Sequence, residues 1–453
     1  MSCEVERPCH SESPLSKPRS MNTVPRAFSV SGPLTGTVTV PGDKSISHRA
    51  LMLSALAVGE SVVDGLLEGE DVLATAAAMR AMGAQIEKRE TKWHVNGVGV
   101  GGLRQPATAL DMGNSGTSTR LLMGLVATHP ITATFIGDAS LSKRPMNRVI
   151  DPLSMMGAEF TASPGGRLPL MVRGICPAIP IEYRLPVASA QVKSAILFAG
   201  LNTPGITRII EPVLTRDHSE RMLAGFGADI TRDGDIISIR GEAELKPQNI
   251  IVPGDPSSAA FPTVAALLVP GSVVTIRNVG MNATRNGIYI VLKAMGGDIT
   301  LTNERIVGGE PVADLIVRHS ALTGIDTSHD IVPSMVDEFP ILFIVAALAK
   351  GRSVFRGLEE LRVKESDRIA VMASGLRAIG ATVEELHDGL IVDGRDGDPF
   401  PGGATITAQL DHRIAMSFAI AGLVSKAPVT IDDISPVATS FPTFETMLAG
   451  LIA

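Results

Sequence analysis

The sequence predicts an α/β protein of two domains, each built from three copies of one unit with the strand and helix order βαβαββ. Two observations lead to this prediction. An apolar helix rich in small residues recurs six times, followed by a strand and a second helix that ends at Met-Gly-Ala or a close variant. A Pro-Gly-Asp turn follows a strand twice, at 41–43 and 253–255. Because Pro-Gly stops a strand and redirects the chain, both turns mark domain boundaries.

The first unit shows the pattern in detail. Its first helix is predicted over 47–57, and its second over 71–82, with Asp71 as N-cap and Gly83 as the C-terminal stop. The first helix of each unit is apolar on nearly all sides, so we expect it in a core shared by three units. The later units begin near Asp111, Ser189, Gly254, Ser334 and Asp411.

The repeat count predicts where the domains divide. Units one to three form a first domain over 43–253, and units four to six form a second over 254–453. Unit six lacks its closing hairpin, so the segment 29–42 is expected to complete the second domain. Residues 1–28 are rich in Ser, Pro and charge without periodicity, which predicts a disordered tail.

Composition restricts the class of function. The 453 residues are 45% hydrophobic, enough for two large cores, and the net charge of -7 argues against a general nucleic-acid binder. We find no segment with the roughly 18 consecutive apolar residues of a membrane span, so no membrane association is expected. Three cysteines do not make a disulfide framework. We therefore expect reduced thiols and a cytoplasmic protein. We further expect a monomer and no cofactor.

Candidate functional residues lie at or after the N-termini of the first helices. A threefold domain points these termini at one face, and two such faces oppose each other across a cleft. Helix N-termini and cations together favour anions, so the expected ligands are small phosphates and carboxylates. The cations at equivalent places in the repeat are Lys44, Arg144, Lys364, Arg368 and Arg413.

The acid–base candidates are Asp337, Glu365 and Lys44. A carboxylate among cations is held ionised, yet it can accept a proton from a bound hydroxyl within hydrogen-bond reach. The alternative interpretation makes each carboxylate a structural ion-pair partner and each cation a solvated surface residue. The histidines near these motifs do not have the spacing of metal ligands, so no metal site is predicted.

Five motifs resemble those of the 5-enolpyruvylshikimate-3-phosphate (EPSP) synthase family. They are Pro-Gly-Asp-Lys-Ser-Ile-Ser-His-Arg (41–49), Gly-Asn-Ser-Gly-Thr (113–117), Ser-Ala-Gln-Val-Lys (189–193), Arg-Val-Lys-Glu-Ser-Asp-Arg (362–368) and Asp-His-Arg (411–413). Segments 216–220 and 282–285 resemble the bacterial class II branch. Covering about 29–453, the resemblance implies the enolpyruvyl transferase fold, two inside-out α/β barrels that close on substrate.

The resemblance implies transfer of an enolpyruvyl group from phosphoenolpyruvate to the 5-hydroxyl of shikimate 3-phosphate, with release of phosphate. This is the 3-phosphoshikimate 1-carboxyvinyltransferase reaction of aromatic amino acid biosynthesis. Asp337 would accept the hydroxyl proton, while Glu365 and Lys44 assist proton transfer at the methylene carbon. Shikimate 3-phosphate would contact Lys44, Ser45, Arg49, Ser189, Gln191, Asp337 and Lys364. Phosphoenolpyruvate would contact Lys44, Gly116, Arg144, Gln191, Arg368 and Arg413.

Three positions depart from the family pattern. Many members carry a second serine at Ala190, so this substrate-binding position offers one hydrogen bond fewer. Several family members carry a lysine at the position that Thr439 occupies in this chain. The best-known glyphosate-tolerant class II members carry alanine at the position of Gly116. The alanine methyl group would intrude on glyphosate, because glyphosate is longer than phosphoenolpyruvate. Glyphosate is therefore a candidate inhibitor of this chain.

Two alternative functions stay open on the same scaffold. One is the sister enzyme UDP-N-acetylglucosamine enolpyruvyl transferase, whose catalytic loop usually carries a cysteine. Cys176 lies in a proline-rich loop with no basic neighbour beyond Arg173, which argues against this function. The other is a non-catalytic anion-binding protein, which would be expected to lack Asp337 or Glu365.

Overall fold

The computed structural model describes residues 23–452. Most of the predicted tail, residues 1–22, lies outside this range. Within it, Arg26–Phe28 form strand β1, which pairs antiparallel with Val429–Ile431. The prediction that the disordered tail extends to residue 28 is therefore wrong. A strand of three residues is too short for a sequence pattern, and its pairing partner lies at the far end of the chain.

The elements of the first half follow the predicted order closely. They are β1 (Arg26–Phe28), β2 (Thr35–Thr39), α1 (Lys44–Leu56), β3 (Glu60–Asp64), α2 (Glu70–Ala81), β4 (Gln85–Arg89), β5 (Lys92–Asn96), β6 (Leu110–Asp111), α3 (Gly116–Ala127), β7 (Thr132–Ile136), α4 (Asn147–Met155), β8 (Glu159–Ser163), β9 (Arg167–Arg173), β10 (Glu182–Arg184), α5 (Ala190–Leu201), β11 (Ile206–Ile210), α6 (His218–Gly225), β12 (Ile230–Asp233), β13 (Ile236–Arg240) and β14 (Asn249–Ile251).

The second half repeats this order with longer strands at its start. Its elements are α7 (Pro256–Leu268), β15 (Val273–Gly280), α8 (Gly287–Ala294), β16 (Asp298–Val307), β17 (Glu310–Arg318), α9 (Phe339–Leu348), β18 (Arg352–Phe355), α10 (Arg368–Ala378), β19 (Thr382–Leu386), β20 (Gly389–Asp393), β21 (Phe400–Gly402), β22 (Thr405–Ile406), α11 (His412–Gly422), β23 (Ser425–Ala427), β24 (Val429–Ile431) and α12 (Phe444–Leu451). The helices of the described range are too short or too polar to cross a membrane.

The first half contains three four-stranded sheets of one topology. Their strand orders are β14-β3-β5-β4, β6-β7-β9-β8 and β10-β11-β13-β12. In each sheet the first pair is parallel, and the remaining pairs are antiparallel. The recurrence of this pattern is the structural form of the βαβαββ repeat.

The second half is completed by strands from the N-terminal end of the chain. Strand β2 pairs in parallel with β15, giving the order β16-β17-β15-β2. Strand β1 joins β24 and β22, while β18-β20-β19 and β21-β23 form smaller sheets. The N-terminal segment thus pairs with strands that lie several hundred residues away in sequence.

Two separate hydrophobic cores lie on either side of the Pro-Gly-Asp turns. One runs from Ile46 to Val252 and is centred on α1, α3 and α5. The other combines Leu34 and Val40 with residues 259–451 and is centred on α7, α9 and α11. These helices are buried on nearly all sides, while most strands alternate between buried and exposed side chains. We propose that the two cores correspond to the two predicted domains.

Local side chains explain where the first helices begin. Helix α1 begins at Lys44, three residues before its predicted start, because the Asp43 side chain accepts the backbone N–H of Ile46 at 2.9 Å. Helix α2 has Gly69 as its N-cap, so the capping role predicted for Asp71 is wrong. The Asp71 carboxylate instead contacts a lysine of α1, a partner that no local pattern indicates.

The two Pro-Gly-Asp turns lie side by side where the chain crosses between the halves. The Asp43 N–H donates to the Pro253 carbonyl at 2.8 Å, and the Asp255 N–H donates to the Pro41 carbonyl at 2.9 Å. A Cβ atom on Gly42 would lie 2.0 Å from a neighbouring carbonyl oxygen, so only glycine fits. The two crossings form one hydrogen-bonded joint.

Candidate active site

The candidate site lies where the helix N-termini of the two halves meet. Arg144 of the first half places Nη1 3.4 Å from the Glu365 carboxylate, and the Ser140 hydroxyl donates to the Glu365 carbonyl at 3.1 Å. Arg216 donates through Nη2 to Asp337 Oδ2 at 2.6 Å. Each pair joins residues more than 100 positions apart in sequence, so the site exists only in the assembled molecule.

Asp337 lies at the centre of four cationic side chains. Its carboxylate is 2.6 Å from Arg216, 3.2 Å from Arg368 and 3.6 Å from Lys364, while its carbonyl accepts a hydrogen bond from Arg413 at 3.0 Å. Burial opposes ionisation of Asp337, but the charges of Lys364, Arg216, Arg413 and Arg368 outweigh it and hold the pKa well below its usual range. Asp337 is therefore ionised, which is the state that the predicted role of proton acceptor requires.

Glu365 is the second carboxylate of the site. It accepts a hydrogen bond from Arg368 Nη2 at 2.6 Å and faces Arg144. Burial alone would raise the pKa of Glu365. The positive charges of Arg368 and Arg144 lower it by more, so the pKa lies well below the usual glutamate range. Arg368 is also held by Asp411, which accepts from its Nε at 2.8 Å. A shared guanidinium thus fixes the distance between the two candidate acid–base residues.

Lys44 lies at the first turn of α1 and forms an ion pair with Asp71. The Asp71 side chain is only 7% exposed, and this burial raises its pKa although Lys44 opposes the shift. The Lys44 side chain is 19% exposed. A buried carboxylate that pairs with a partly exposed lysine can orient the lysine toward a ligand.

Two guanidinium groups crowd the N-terminus of α3. A Cβ atom on Gly116 would lie 2.9 Å from Arg120 Nη1 and 3.0 Å from Arg144 Nη1. Arg120 donates to Gln191 Oε1 at 2.7 Å, and Arg144 donates to Asn114 Oδ1 at 2.8 Å. Burial, together with the charge of Arg144, lowers the pKa of Arg120 to about 10. An anion beside Gly116 would relieve the repulsion between the two cations.

Arg49 lies beneath the site. Its nitrogens donate to Ser219 Oγ at 2.7 Å, to Ser194 Oγ at 2.8 Å and to the Ser45 carbonyl at 2.8 Å. Burial lowers its pKa to about 10. In this arrangement Arg49 and Ser45 support the N-termini of α5 and α6. The contacts of Arg49 and Ser45 with substrate stay predictions.

The N-terminus of α5 carries the remaining predicted residues. Ser189 is its N-cap and accepts the N–H of Val192 at 3.4 Å, and Ala190 is the first helical residue. Gln191 donates to Thr117 Oγ1 at 3.0 Å, which connects this terminus to that of α3. Ser189 and Ala190 make no direct contact with the carboxylates among the described hydrogen bonds, and their roles also stay predictions.

Residues that touch the site but are absent from the predicted catalytic and substrate-binding set include Asp71, Arg120 and Arg216. Arg216 lies in segment 216–220, in the second part of a unit, as Arg144 and Arg368 do, and this position is a usable signal. Arg120 follows Gly116 by one helical turn, which is a usable signal. The sequence predicts Asp71 as a helix N-cap, which hides its role as the partner of Lys44.

The family model described as EPSP synthase (3-phosphoshikimate 1-carboxyvinyltransferase) matches residues 29–448. The chain belongs to the EPSP synthase family. A family protein from Sphingopyxis alaskensis, named 3-phosphoshikimate 1-carboxyvinyltransferase, is 72% identical over 94% of this chain and 98% of that protein. One of the same name from Novosphingobium aromaticivorans is 70% identical, again covering 94% of this chain and 98% of its own.

Solved structures of the family agree with the fold. The EPSP synthase from Acinetobacter baumannii is 48% identical, with a TM-score of 0.83, and the alignment covers 94% of this chain and 97% of that one. The enolpyruvyl transferase NikO from Streptomyces tendae is only 19% identical but reaches a TM-score of 0.74 over 95% of this chain and 98% of its own. The predicted two-domain inside-out α/β fold is confirmed.

Proposed function

We propose that this chain transfers the enolpyruvyl group of phosphoenolpyruvate to the 5-hydroxyl of shikimate 3-phosphate and releases phosphate. The observation that carries the proposal is the ring of cations around two ionised carboxylates, Asp337 and Glu365, which both halves of the chain build together. The names of family members that match nearly the whole chain support the same reaction.

Substrate binding follows from charge. Both substrates are multiply charged anions that repel each other, so bringing them together needs fixed cations in a site that excludes water. Arg144 and Arg120 beside Gly116 suit the phosphate of phosphoenolpyruvate, and Arg368 and Arg413 suit its carboxylate. Lys364, Ser189, Ala190 and Gln191 would face shikimate 3-phosphate.

The reaction needs two proton movements. The 5-hydroxyl loses its proton to Asp337 as its oxygen bonds to the central carbon of phosphoenolpyruvate, whose methylene carbon takes up a proton. The carbon–oxygen bond to phosphate then breaks, and the methyl carbon returns a proton. Lys44, whose side chain is partly exposed, is the proton donor, and ionised Glu365 is the proton acceptor in the second step. Asp71 keeps Lys44 oriented.

Location, assembly and inhibition follow from this assignment. Phosphorylated substrates do not cross membranes, so we place the enzyme in the cytoplasm. Each half of the site comes from the same chain, and a monomer is therefore sufficient for activity. Glyphosate, an anion of similar charge, would compete with phosphoenolpyruvate beside Gly116.

The test is phosphate release by the purified chain with phosphoenolpyruvate and either shikimate 3-phosphate or UDP-N-acetylglucosamine. We expect release only with shikimate 3-phosphate, together with a product heavier by one enolpyruvyl group. Release only with the nucleotide sugar would assign the sister activity. Binding of phosphoenolpyruvate without release in either case would indicate the non-catalytic alternative.

A further inference from the structure

Another contact between the two halves lies directly beside the Arg216–Asp337 pair. We call it the junction, and it consists of Asp217, His218, Asn282 and Glu310. Asn282 Nδ2 donates to Asp217 Oδ1 at 2.7 Å and to Glu310 Oε2 at 2.9 Å. His218 Nδ1 lies 2.9 Å from Glu310 Oε1. Two residues from each half therefore share one hydrogen-bonded group.

The junction is buried, and hydrogen bonds fix the orientation of its central amide. Asn282, Glu310 and His218 are 3%, 4% and 2% exposed. Asn282 Oδ1 accepts both the N–H and the hydroxyl of Thr284 at 2.9 Å, which orients the amide nitrogen toward the two carboxylates. A displacement of one half along the other would leave these polar groups buried without partners, so the contact favours one relative position.

The same residues have the composition of a metal site. Ligand atoms of Asp217, His218 and Glu310 lie within 4.8 Å of one another. However, the Asn282 amide nitrogen bonds both carboxylates and has no lone pair to offer a cation. A hydrogen-bonded junction therefore explains the arrangement better than a cation site.

The junction anchors one end of the segment that carries Arg216. The other end is held by Glu211, a fully buried carboxylate that accepts the N–H of Thr215 at 3.1 Å and pairs with Lys193 at 2.8 Å. The segment is therefore fixed within the first half at Glu211 and against the second half at Asp217. Arg216 lies between these anchors and reaches Asp337 at 2.6 Å.

We propose that Asn282 and Glu310 are positioning residues, which hold Asp217 and His218 so that Arg216 meets Asp337 in the assembled site. This inference rests on the proposed function. Loss of the junction would let the Arg216 segment shift by on the order of 1 Å, a displacement that costs about 100-fold in well-oriented reactions. The effect should fall mainly on kcat, because the proton moves to Asp337 only in the transition state, whereas bound shikimate 3-phosphate keeps its other contacts.

The experiment compares Asn282→Ala and Glu310→Gln with Arg148→Ala as the matched control. Arg148 also joins the halves, through an exposed pair with Glu360 at 3.0 Å, but lies outside the junction. We expect kcat to fall at least about tenfold in both junction variants, with KM for either substrate changed less than about threefold. The control should keep wild-type kinetics. Wild-type kcat in both junction variants would overturn the proposal.

A double-mutant cycle separates positioning from general destabilisation. If the junction acts through Arg216, Asn282→Ala should cost little more once Arg216→Ala is present. If the double variant instead loses kcat by the product of the two single-variant factors, the inference is contradicted. Glu310→Gln, which keeps the side-chain shape, serves if Asn282→Ala folds poorly.

Hydrogen–deuterium exchange gives a readout that does not depend on turnover. Peptides covering 211–225 should exchange faster in Asn282→Ala than in the wild type or in Arg148→Ala. Unchanged exchange would refute the anchoring, whatever the activity. Absence of turnover in the unsubstituted chain, by contrast, would refute only the proposed function.

Discussion

The two Pro-Gly-Asp turns share their geometry and differ in their use. Asp43 caps α1 through the N–H of Ile46, and Asp255 caps α7 through the N–H of Ser257 at 2.8 Å. The residues that follow then diverge, because the second copy has Pro256 at the position of Lys44. A proline at the first turn of a helix suits the backbone but offers no charge.

The cations associated with the two turns show what this difference means. Lys44 belongs to α1, and its side chain is 19% exposed. Arg285, which is 2% exposed, approaches the carboxylates of Asp43 at 3.6 Å and Asp255 at 3.1 Å. Burial opposes the charge of Arg285, but the two carboxylates raise its pKa above the usual range. The cation that follows the first turn is therefore partly exposed, while the cation that the aspartates of both turns share is buried.

The largest effect on stability is expected from Arg285→Ala. This change leaves two buried carboxylates at the joint without their shared cation, which should lower the free energy of unfolding by about 3–5 kcal/mol. Urea unfolding measures the change. As a control, Arg173→Ala removes an exposed pair with Glu159 and should cost less than about 1 kcal/mol. A loss for Arg285→Ala as small as the control's would show that the joint does not need the cation.

Lys44→Ala should act mainly on turnover. We expect turnover to fall at least about 100-fold, because charge stabilisation in the site is lost. The free energy of unfolding should also fall, because the buried Asp71 carboxylate loses its partner. Arg413→Ala, on the equivalent turn of α11, should lower turnover in the same way. Steady-state phosphate release measures both, with Lys426→Ala, an exposed cation paired with Asp398, as the control. Near-normal rates for Lys44→Ala or Arg413→Ala would remove the site assignment.

Gly116→Ala tests the space between Arg120 and Arg144. The added methyl must displace flexible guanidinium groups by a few tenths of an ångström, so folding should be retained. Glyphosate is longer than phosphoenolpyruvate, and its inhibition constant should rise about tenfold while KM for phosphoenolpyruvate rises only a few-fold. The measurement is an inhibition series at several phosphoenolpyruvate concentrations. An equal loss for both ligands would contradict the steric explanation.

The smallest effect concerns pH and again distinguishes the two turns. Helix α1 carries His48 where α7 carries Ala260. Burial, together with the charge of Lys44, holds the pKa of His48 well below its usual value of 6.5. Below pH 6.5 the unfolded chain binds a proton that the folded chain does not, so stability should fall as pH decreases, by at most about 1.4 kcal/mol per pH unit.

Urea unfolding at pH 7.5 and 5.5 measures this loss. His48→Gln should reduce the difference between the two values, because the proton uptake of the unfolded chain is removed. His412 is also buried with a lowered pKa and should supply part of the remaining slope. A His48→Gln protein with an unchanged slope would exclude His48 as a source.

The repeat, the buried helices and most of the cations were readable from the residues. Helix periodicity, Pro-Gly turns and the recurrence of charged motifs are local properties, so Lys44, Arg144, Asp337 and Arg413 could be chosen without coordinates. The order of strands within each unit followed from the same recurrence.

Contacts between distant segments required the folded molecule. The pairing of β1 with β24, of Asp71 with Lys44 and of Arg216 with Asp337 depends on distances that no local pattern encodes. A polar side chain such as Asp71 can cap a helix, remain in water or bind a cation, and its sequence neighbours permit all three. Burial decides among these outcomes, because removing a charge from water is costly unless a partner lies within a few ångströms.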